Sequence, residues 1–175
     1  MTEKPLKKNL IYKGKVLDFY CDEVELPNGR KATREYLNHP GAAAVLPFVD
    51  KDNIVLVKQY RYVVGDATYE IPAGKMDKGE TPIECAQREF EEETGLKAKK
   101  IEKLISFYPS TAFSNEVLHI FTAFGVTKGK MNQDEDEFVE KMIVKFKDAL
   151  EMVKDGTIID SKTIIAQLMF ENILK

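Results

Sequence analysis

One well-delimited helix carries three carboxylates on a single face, and this feature constrains the chain more than any other. A capping-box pattern starts the helix at Thr81, and a glycine suited to a left-handed C-terminal turn ends it at Gly95. Between these signals, Glu89, Glu92 and Glu93 are spaced i, i+3 and i+4, so their side chains share one face. The sequence therefore predicts a short amphipathic helix with a concentrated negative charge.

Three like charges on one helix face repel, at a cost of a few tenths of a kcal/mol for each close pair. A hard divalent cation, which prefers oxygen ligands, offsets that repulsion. A solvated glutamate face is the alternative interpretation of such a run. The flanking glycines, Gly74 and Gly95, indicate a loop–helix–loop and favour the metal interpretation.

Charge and hydropathy exclude several other classes of protein. The 175 residues suffice for one sizeable core, and the net charge of −3 gives no basis for gripping nucleic acid or an anionic membrane. The longest apolar run, residues 41–49, is too short to span a bilayer, and no apolar segment follows the basic N-terminus. Cys21 and Cys85 lack metal-type spacing, so we expect two buried thiols and a cytoplasmic protein.

The remaining pattern predicts strands and helices without regular alternation. Residues 1–40 form a predicted antiparallel β-subdomain, with strands at 15–26 and 31–37 around a Pro-Asn-Gly turn, and residues 41–175 form the main domain. Further strands are predicted at 42–48, 54–60, 70–73, 101–107, 117–126 and 138–146, and further helices at 147–154 and from Asp160 or Ser161 to 174. A mixed sheet between helices is the expected architecture.

The glutamate helix and its preceding loop resemble the Nudix box. That pattern is Gly, five residues, Glu, seven residues, Arg-Glu, an apolar residue, any residue, Glu-Glu, any residue, Gly and an apolar residue. The chain fills each fixed position with Gly74, Glu80, Arg88, Glu89, Phe90, Glu92, Glu93, Gly95 and Leu96. The resemblance implies an α/β protein, the Nudix-type mixed-sheet α/β/α sandwich, with the small N-terminal β-subdomain helping to form a homodimer.

The resemblance also implies roles for individual residues. Mg²⁺, or alternatively Mn²⁺, would be bound by Glu89, Glu92, Glu93 and the Ala73 carbonyl, while Arg88 would orient the glutamates. Such a cation neutralises bridging phosphates and lowers the pKa of a water that attacks phosphorus.

Segments outside the box resemble bacterial ADP-ribose pyrophosphatases. They include residues 34–47, Gln59-Tyr-Arg61, Glu70-Ile-Pro-Ala-Gly74, 106–116, and Asp155 to Thr163. By this resemblance Arg61 would contact the diphosphate, with a surface salt bridge as the alternative, and Glu70 would reach the adenine or the metal site. Arg34 and Glu116 are further substrate-binding candidates.

An acidic loop at residues 133–137 is the candidate source of the general base. By the resemblance, Glu137 is the first choice, Glu135 the second, and Glu93 the third, because the sequence does not separate a ligand from a base. A solvated turn is the alternative interpretation of the loop.

The expected reaction is hydrolysis of ADP-ribose to AMP and ribose 5-phosphate. One departure weakens the substrate expectation: Ser110-Thr111-Ala112 stands where these enzymes usually carry Ser-Pro-Gly. The alternatives are another nucleoside diphosphate derivative (a nucleotide sugar, a dinucleotide or a capped RNA) and a catalytically silent module that binds ADP-ribose. A nucleic-acid-binding protein is disfavoured by the acidic balance.

Overall fold

The computed structural model describes residues 2–132 and 138–173, which divide into two compact units. One unit comprises Met1–Gly41 with Tyr108–Val117, and the other comprises Ala42–Phe107 with Leu118–Lys175. That the first 40 residues form a separate domain stays a prediction, and the unit seen here also contains Tyr108–Val117. Within the described ranges no helix is long and apolar enough to cross a membrane.

The first unit is built on a four-stranded antiparallel sheet. Strand β3 pairs over its whole length with β4, while β2 and β1 pair with the two ends of its other edge. Rings on adjacent strands stack, since Tyr20 and Tyr36 have centroids 5.3 Å apart. The strands are β1 (Lys4–Lys7), β2 (Leu10–Lys13), β3 (Asp18–Glu25) and β4 (Lys31–Asn38).

The described residues of the second unit form two sheets and three helices. One sheet has the order β8-β5-β10-β9, in which β5 and β10 are parallel, and the other has the order β11-β6-β7. The strands are β5 (Ala42–Pro47), β6 (Asn53–Arg61), β7 (Asp66–Glu70), β8 (Ala73–Lys75), β9 (Leu96–Phe107), β10 (Leu118–Lys128) and β11 (Val139–Lys145). The helices are α1 (Pro82–Thr94), α2 (Phe146–Lys154) and α3 (Ser161–Ile173).

Strand β5 is buried on both faces and separates two cores. Ala43 and Val45 pack with Phe90 of α1, whereas Ala44 and Leu46 belong to the larger core on the opposite face. Alternate residues of a strand point to opposite faces, so this run of small and branched residues supports packing on both sides. The predicted mixed α/β architecture is confirmed.

Helix α1 begins and ends at the predicted residues. Thr81 accepts a hydrogen bond from the Glu84 backbone amide, and the Glu84 side chain accepts one from the Thr81 amide, which completes the capping box. Gly95 ends the helix with φ of 66° and ψ of 26°, a left-handed conformation that costs glycine little. These two signals fix which residues of the glutamate run are helical.

The single strand predicted at residues 70–73 is wrong. Strand β7 ends at Glu70 and pairs with β6, whereas β8 begins at Ala73 and pairs with β5, so the chain changes sheets between them. The Ile71 amide donates to Thr163 Oγ1 at 2.8 Å, and Pro72 has no amide hydrogen to give to a ladder. The chain therefore leaves one sheet and enters the other at Ile71-Pro72.

Candidate active site

Arg88 uses all five N–H donors of its guanidinium on the loop and helix around it. Nε and Nη2 bond the two oxygens of Glu80 at 2.8 and 2.9 Å, and Nη2 also bonds the Lys75 carbonyl at 3.1 Å. Nη1 donates to Glu89 Oε1 at 2.7 Å and to Glu92 Oε2 at 3.0 Å. One side chain thus ties the loop before α1 to two of the three predicted metal ligands.

Glu80 also stabilises the loop that precedes α1. Its carboxylate accepts a 2.9 Å bond from the Asp77 amide in addition to the fork from Arg88. The Arg88 hydrogen bonds lower the pKa of Glu80 to about 2, and the Glu80 carboxylate in turn raises the pKa of Arg88. Both groups are therefore charged at neutral pH.

Strand β8 lies directly against the glutamate face of α1. A Cβ added at Gly74 would lie 2.0 Å from both Cδ and Oε1 of Glu89, so only glycine leaves room for that carboxylate. The next ligand candidate, Glu93, is 3% exposed and accepts a 3.2 Å bond from the Ala73 amide. The structure brings Ala73, Glu89 and Glu93 together, with Glu92 reached through Arg88.

Among residues 2–132 and 138–173, no group of three or more His, Cys, Asp or Glu side chains is already arranged to hold a metal ion. Arg88 lies between Glu89 and Glu92 but engages one oxygen of each, so it leaves their second oxygens to other partners. The candidate ligands are hard carboxylate oxygens, and Gly74 leaves the space that the Glu89 carboxylate occupies. These residues fit a hard divalent cation such as Mg²⁺.

The C-terminal end of α1 is held by the chain on both sides of residues 133–137. The Asn132 amide donates to the Glu92 carbonyl at 3.1 Å, and the Lys141 ammonium donates to the Thr94 carbonyl at 2.6 Å. Carbonyls at a helix C-terminus lack partners within the helix, and a cation there is favourable. These bonds fix the end of the helix that carries Glu92 and Glu93.

A second ionic network lies at the end of β7. Arg61 bonds both oxygens of Glu70, at 2.7 Å from Nε and 2.6 Å from Nη2, and Thr68 Oγ1 donates to the same carboxylate at 2.5 Å. The Lys162 ammonium also contacts Glu70, and it bonds Asp160 Oδ1 at 3.0 Å. Glu70 is 2% exposed, and its carboxylate is surrounded by hydrogen-bond donors.

The hydrogen-bonding partners of Glu70, rather than its burial, determine its charge. Burial alone would raise its pKa, but the hydrogen bonds and charges of Arg61 and Lys162 outweigh burial and lower the pKa to about 2. The Glu70 hydrogen bonds raise the pKa of Arg61. Glu70 and Arg61 are therefore both charged at neutral pH.

The sequence analysis did not single out Lys162 as a site residue. Asp160, one of the two predicted caps, accepts from the Thr163 amide at 3.0 Å and so caps α3. A lysine in the first helical turn is unfavourable beside the positive end of the helix dipole, which was a signal that Lys162 has buried acidic partners. Lys141, also missed, gave no comparable signal because its partner is a backbone carbonyl.

The other predicted residues lie elsewhere or outside the described ranges. In the first unit, Arg34 forms an exposed ion pair with Glu3, and Glu116 lies 3.9 Å from His39 Nδ1. Thr111 follows Ser110, whose carbonyl accepts from the Ser114 amide at 3.0 Å. Glu135 and Glu137 lie outside the described residues.

The chain belongs to the Nudix family, and it is a hydrolase of that family. The NUDIX domain matches residues 37–167, which include the whole glutamate helix and its loop. A solved structure, described as a crystal structure of an ADP compounds hydrolase, superposes with a TM-score of 0.87 over 99% of this chain and 95% of that one. At 18% identity this likeness establishes the fold alone.

Two relatives are similar over nearly the whole chain. The ADP-ribose pyrophosphatase of Bacillus subtilis (strain 168) is 47% identical over 168 residues, which cover 95% of this chain and 91% of that protein. The methanol dehydrogenase activator of Bacillus methanolicus is 44% identical over 166 residues, which cover 94% of this chain and 90% of that protein.

Gly74→Ala should weaken the response to metal, because the new Cβ would displace the Glu89 carboxylate from its cradle. We expect a roughly 10- to 100-fold loss of hydrolysis at limiting Mg²⁺, the range seen when groups that hold metal ligands are disturbed. The measurement is hydrolysis rate against Mg²⁺ concentration. Gly79→Ala is the control: its Cβ, at φ of 87°, meets nothing within 4 Å and adds only backbone strain. Equal losses in both variants would contradict the claim that Gly74 makes room for the Glu89 carboxylate.

Glu70→Gln should lower the free energy of unfolding in a pH-dependent way. Folding lowers the pKa of Glu70 from 4.5 to about 2, so its stabilisation is fully present above pH 4.5 and is lost as the pH falls towards 2. We expect a deficit of roughly 3–4 kcal/mol at pH 7, from about 1.4 kcal/mol per unit of lowered pKa. Urea unfolding of both proteins between pH 7 and 2.5 measures it.

The matched control is Glu151→Gln, because that carboxylate is 69% exposed and pairs with Lys154, which is also exposed. An exposed pair of this kind contributes little, so its deficit should be near zero throughout. A Glu70→Gln deficit that stays the same at pH 7 and pH 3 would contradict the assignment.

Proposed function

We propose that the chain hydrolyses the diphosphate bond of ADP-ribose to AMP and ribose 5-phosphate with the help of Mg²⁺, or alternatively Mn²⁺. The observation that carries this proposal is the glutamate face of α1, packed against the Gly74 loop and organised by Arg88. The 47% identity to an ADP-ribose pyrophosphatase supports the choice of substrate.

The metal would be held by Glu89, Glu92, Glu93 and the carbonyl oxygen of Ala73. A divalent cation bound there supplies charge neutralisation to the diphosphate and lowers the pKa of the attacking water. The residues themselves contribute placement: Arg88 fixes Glu89 and Glu92, and the Ala73 amide orients Glu93. This preorganisation limits the rearrangement needed when the substrate arrives.

Arg61 is the proposed diphosphate contact. Its Nε and Nη2 face Glu70, and its side chain is 39% exposed, so the outer part of the fork is accessible to phosphate oxygens. Arg34 and Glu116 remain further proposed substrate contacts. The buried network around Glu70 favours a role in orienting Arg61 over direct contact with adenine.

The general base is proposed among Glu137, Glu135 and Glu93, in that order. The first two lie outside the described residues. Glu93 is buried and already engaged by the Ala73 amide, which suits a fixed metal ligand better than a base that must accept and release a proton.

Other members of the same chemical class remain alternatives. Nucleotide sugars, dinucleotides and capped RNA carry the same diphosphate bond. The retention of Glu89, Glu92 and Glu93 disfavours a catalytically silent ADP-ribose-binding module, because binding alone does not need three ligands of a catalytic metal. The 44% identity to a methanol dehydrogenase activator favours a second candidate function, stimulation of a dehydrogenase, which a dehydrogenase assay with and without the chain would test.

We also propose a homodimer that works in the cytoplasm. The N-terminal sheet exposes several large apolar side chains, which a second copy would cover: Leu6, Leu10, Ile11 and Tyr12 are each more than 40% exposed in the described chain. Both cysteines are free thiols, as suits a reducing compartment, although Cys85 alone is buried as expected and Cys21 is only partly buried. Analytical ultracentrifugation should return twice the 19.9 kDa chain mass, and a monomer at micromolar concentration would contradict the dimer.

The decisive assay for function is a substrate panel with product analysis. We expect metal-dependent release of AMP and ribose 5-phosphate from ADP-ribose, faster than cleavage of nucleotide sugars, NAD or capped RNA. Glu92→Gln should reduce turnover by at least about 100-fold, because it removes a charged ligand of the metal. Glu84→Gln on the same helix is the control, since glutamine also completes a capping box and turnover should stay within about twofold.

Each outcome of the panel is informative. Preferential cleavage of another diphosphate derivative would keep the chemistry and reject ADP-ribose as substrate. Unchanged turnover in Glu92→Gln would reject the metal assignment. Binding of ADP-ribose without cleavage would leave the silent module as the correct function.

A further inference from the structure

Four charged side chains form a compact cluster that includes Arg61, the proposed diphosphate contact. This cluster, which we call the Lys162 cluster, comprises Arg61 at the end of β6, Glu70 at the end of β7, and Asp160 and Lys162 at the start of α3. Two cations and two carboxylates give it a formal charge of zero.

Arg61 is the member of the cluster that reaches the surface. Nε and Nη2 are bound by Glu70, whereas Nη1 makes no hydrogen bond to the described part of the chain. The inner edge of the guanidinium is thus fixed, and its outer edge is accessible. A planar fork held in this way suits bidentate recognition of phosphate oxygens.

Lys162 is the inner cation of the cluster. Its side chain is 11% exposed, and its ammonium contacts the same Glu70 oxygen that Arg61 Nη2 bonds, together with Asp160 Oδ1 at 3.0 Å. Asp160 is in turn fixed by the Thr163 amide and hydroxyl, at 3.0 and 2.6 Å. Lys162 therefore links the start of α3 to the carboxylate that orients Arg61.

We propose that Lys162 is a positioning residue for diphosphate binding, which acts through Glu70 on Arg61. The proposal rests on the proposed function, in which Arg61 contacts the diphosphate. Lys162 restrains Glu70, and its charge keeps the cluster neutral rather than negative beside an anionic substrate. Without it, the carboxylates of Glu70 and Asp160 would compete with phosphate for the one remaining cation of the cluster, the Arg61 guanidinium.

The test compares Lys162→Met with variants that change the cluster charge differently. Lys162→Met should raise KM for ADP-ribose and Kd for ADP by about tenfold, with kcat within about threefold of wild type. The double variant Asp160→Asn, Lys162→Met is neutral again and should recover most of that loss. Asparagine can still cap α3, so the double variant also tests charge rather than helix capping.

The variant Arg61→Gln, which lacks the guanidinium, distinguishes positioning of Arg61 by Lys162 from a general structural role of Lys162. In Arg61→Gln, adding Lys162→Met should change KM and Kd by less than about twofold, because the route through Arg61 is gone. A tenfold loss that persists in this background would overturn the proposal, as would an unchanged KM and Kd in Lys162→Met alone.

A final variant keeps the test decisive if Lys162→Met does not fold, which thermal unfolding will reveal. Asp160→Asn alone gives the cluster a charge of +1 and should tighten ADP binding severalfold; equal or weaker binding would overturn the proposal. ADP binding, measured by calorimetry, does not require turnover. Wild type that binds ADP without cleaving ADP-ribose would reject the proposed function only, whereas wild type that does not bind ADP would reject both.

Discussion

The hydrogen bonds of the Arg88 guanidinium are the interaction on which the rest of the site depends. Glutamates on one helix face repel one another, and a guanidinium that bonds Glu80, Glu89 and Glu92 offsets this repulsion in the folded helix. Arginine suits this role because its planar fork presents fixed donors in several directions. The same contacts attach the loop containing Gly74 to the helix, so fold and site share one set of interactions.

The chain between the two sheets connects this network with the second one. Glu70 ends β7 within the Lys162 cluster, and Ala73 begins β8 against Glu93 only three residues later. The intervening Ile71 is fixed by Thr163 of α3. The segment from Glu70 to Ala73 thus joins the partner of the proposed phosphate contact to a proposed metal ligand, and hydrogen bonds to α3 and α1 hold it on both sides.

Local signals predicted some parts of this structure well and others poorly. The ends of α1 follow from Thr81 and Gly95 because caps act within a few residues. The change of sheet at Ile71-Pro72 was missed, since it depends on a hydrogen bond to Thr163, 92 positions away. The sequence placed Glu70 near the site but did not predict Lys162 as its partner, because a pairing between distant segments leaves no periodic pattern. The glutamate helix was found because its ligands are neighbours in sequence.

The most direct test of the central claim is to locate the metal itself. Crystals soaked in Mn²⁺ would reveal the cation by its anomalous scattering. Our account predicts a peak within about 2.5 Å of carboxylate oxygens of Glu89, Glu92 or Glu93 and near the Ala73 carbonyl, with Arg88 still bound to Glu80. A cation bound only at another place, or no cation at this helix at millimolar Mn²⁺, would contradict it.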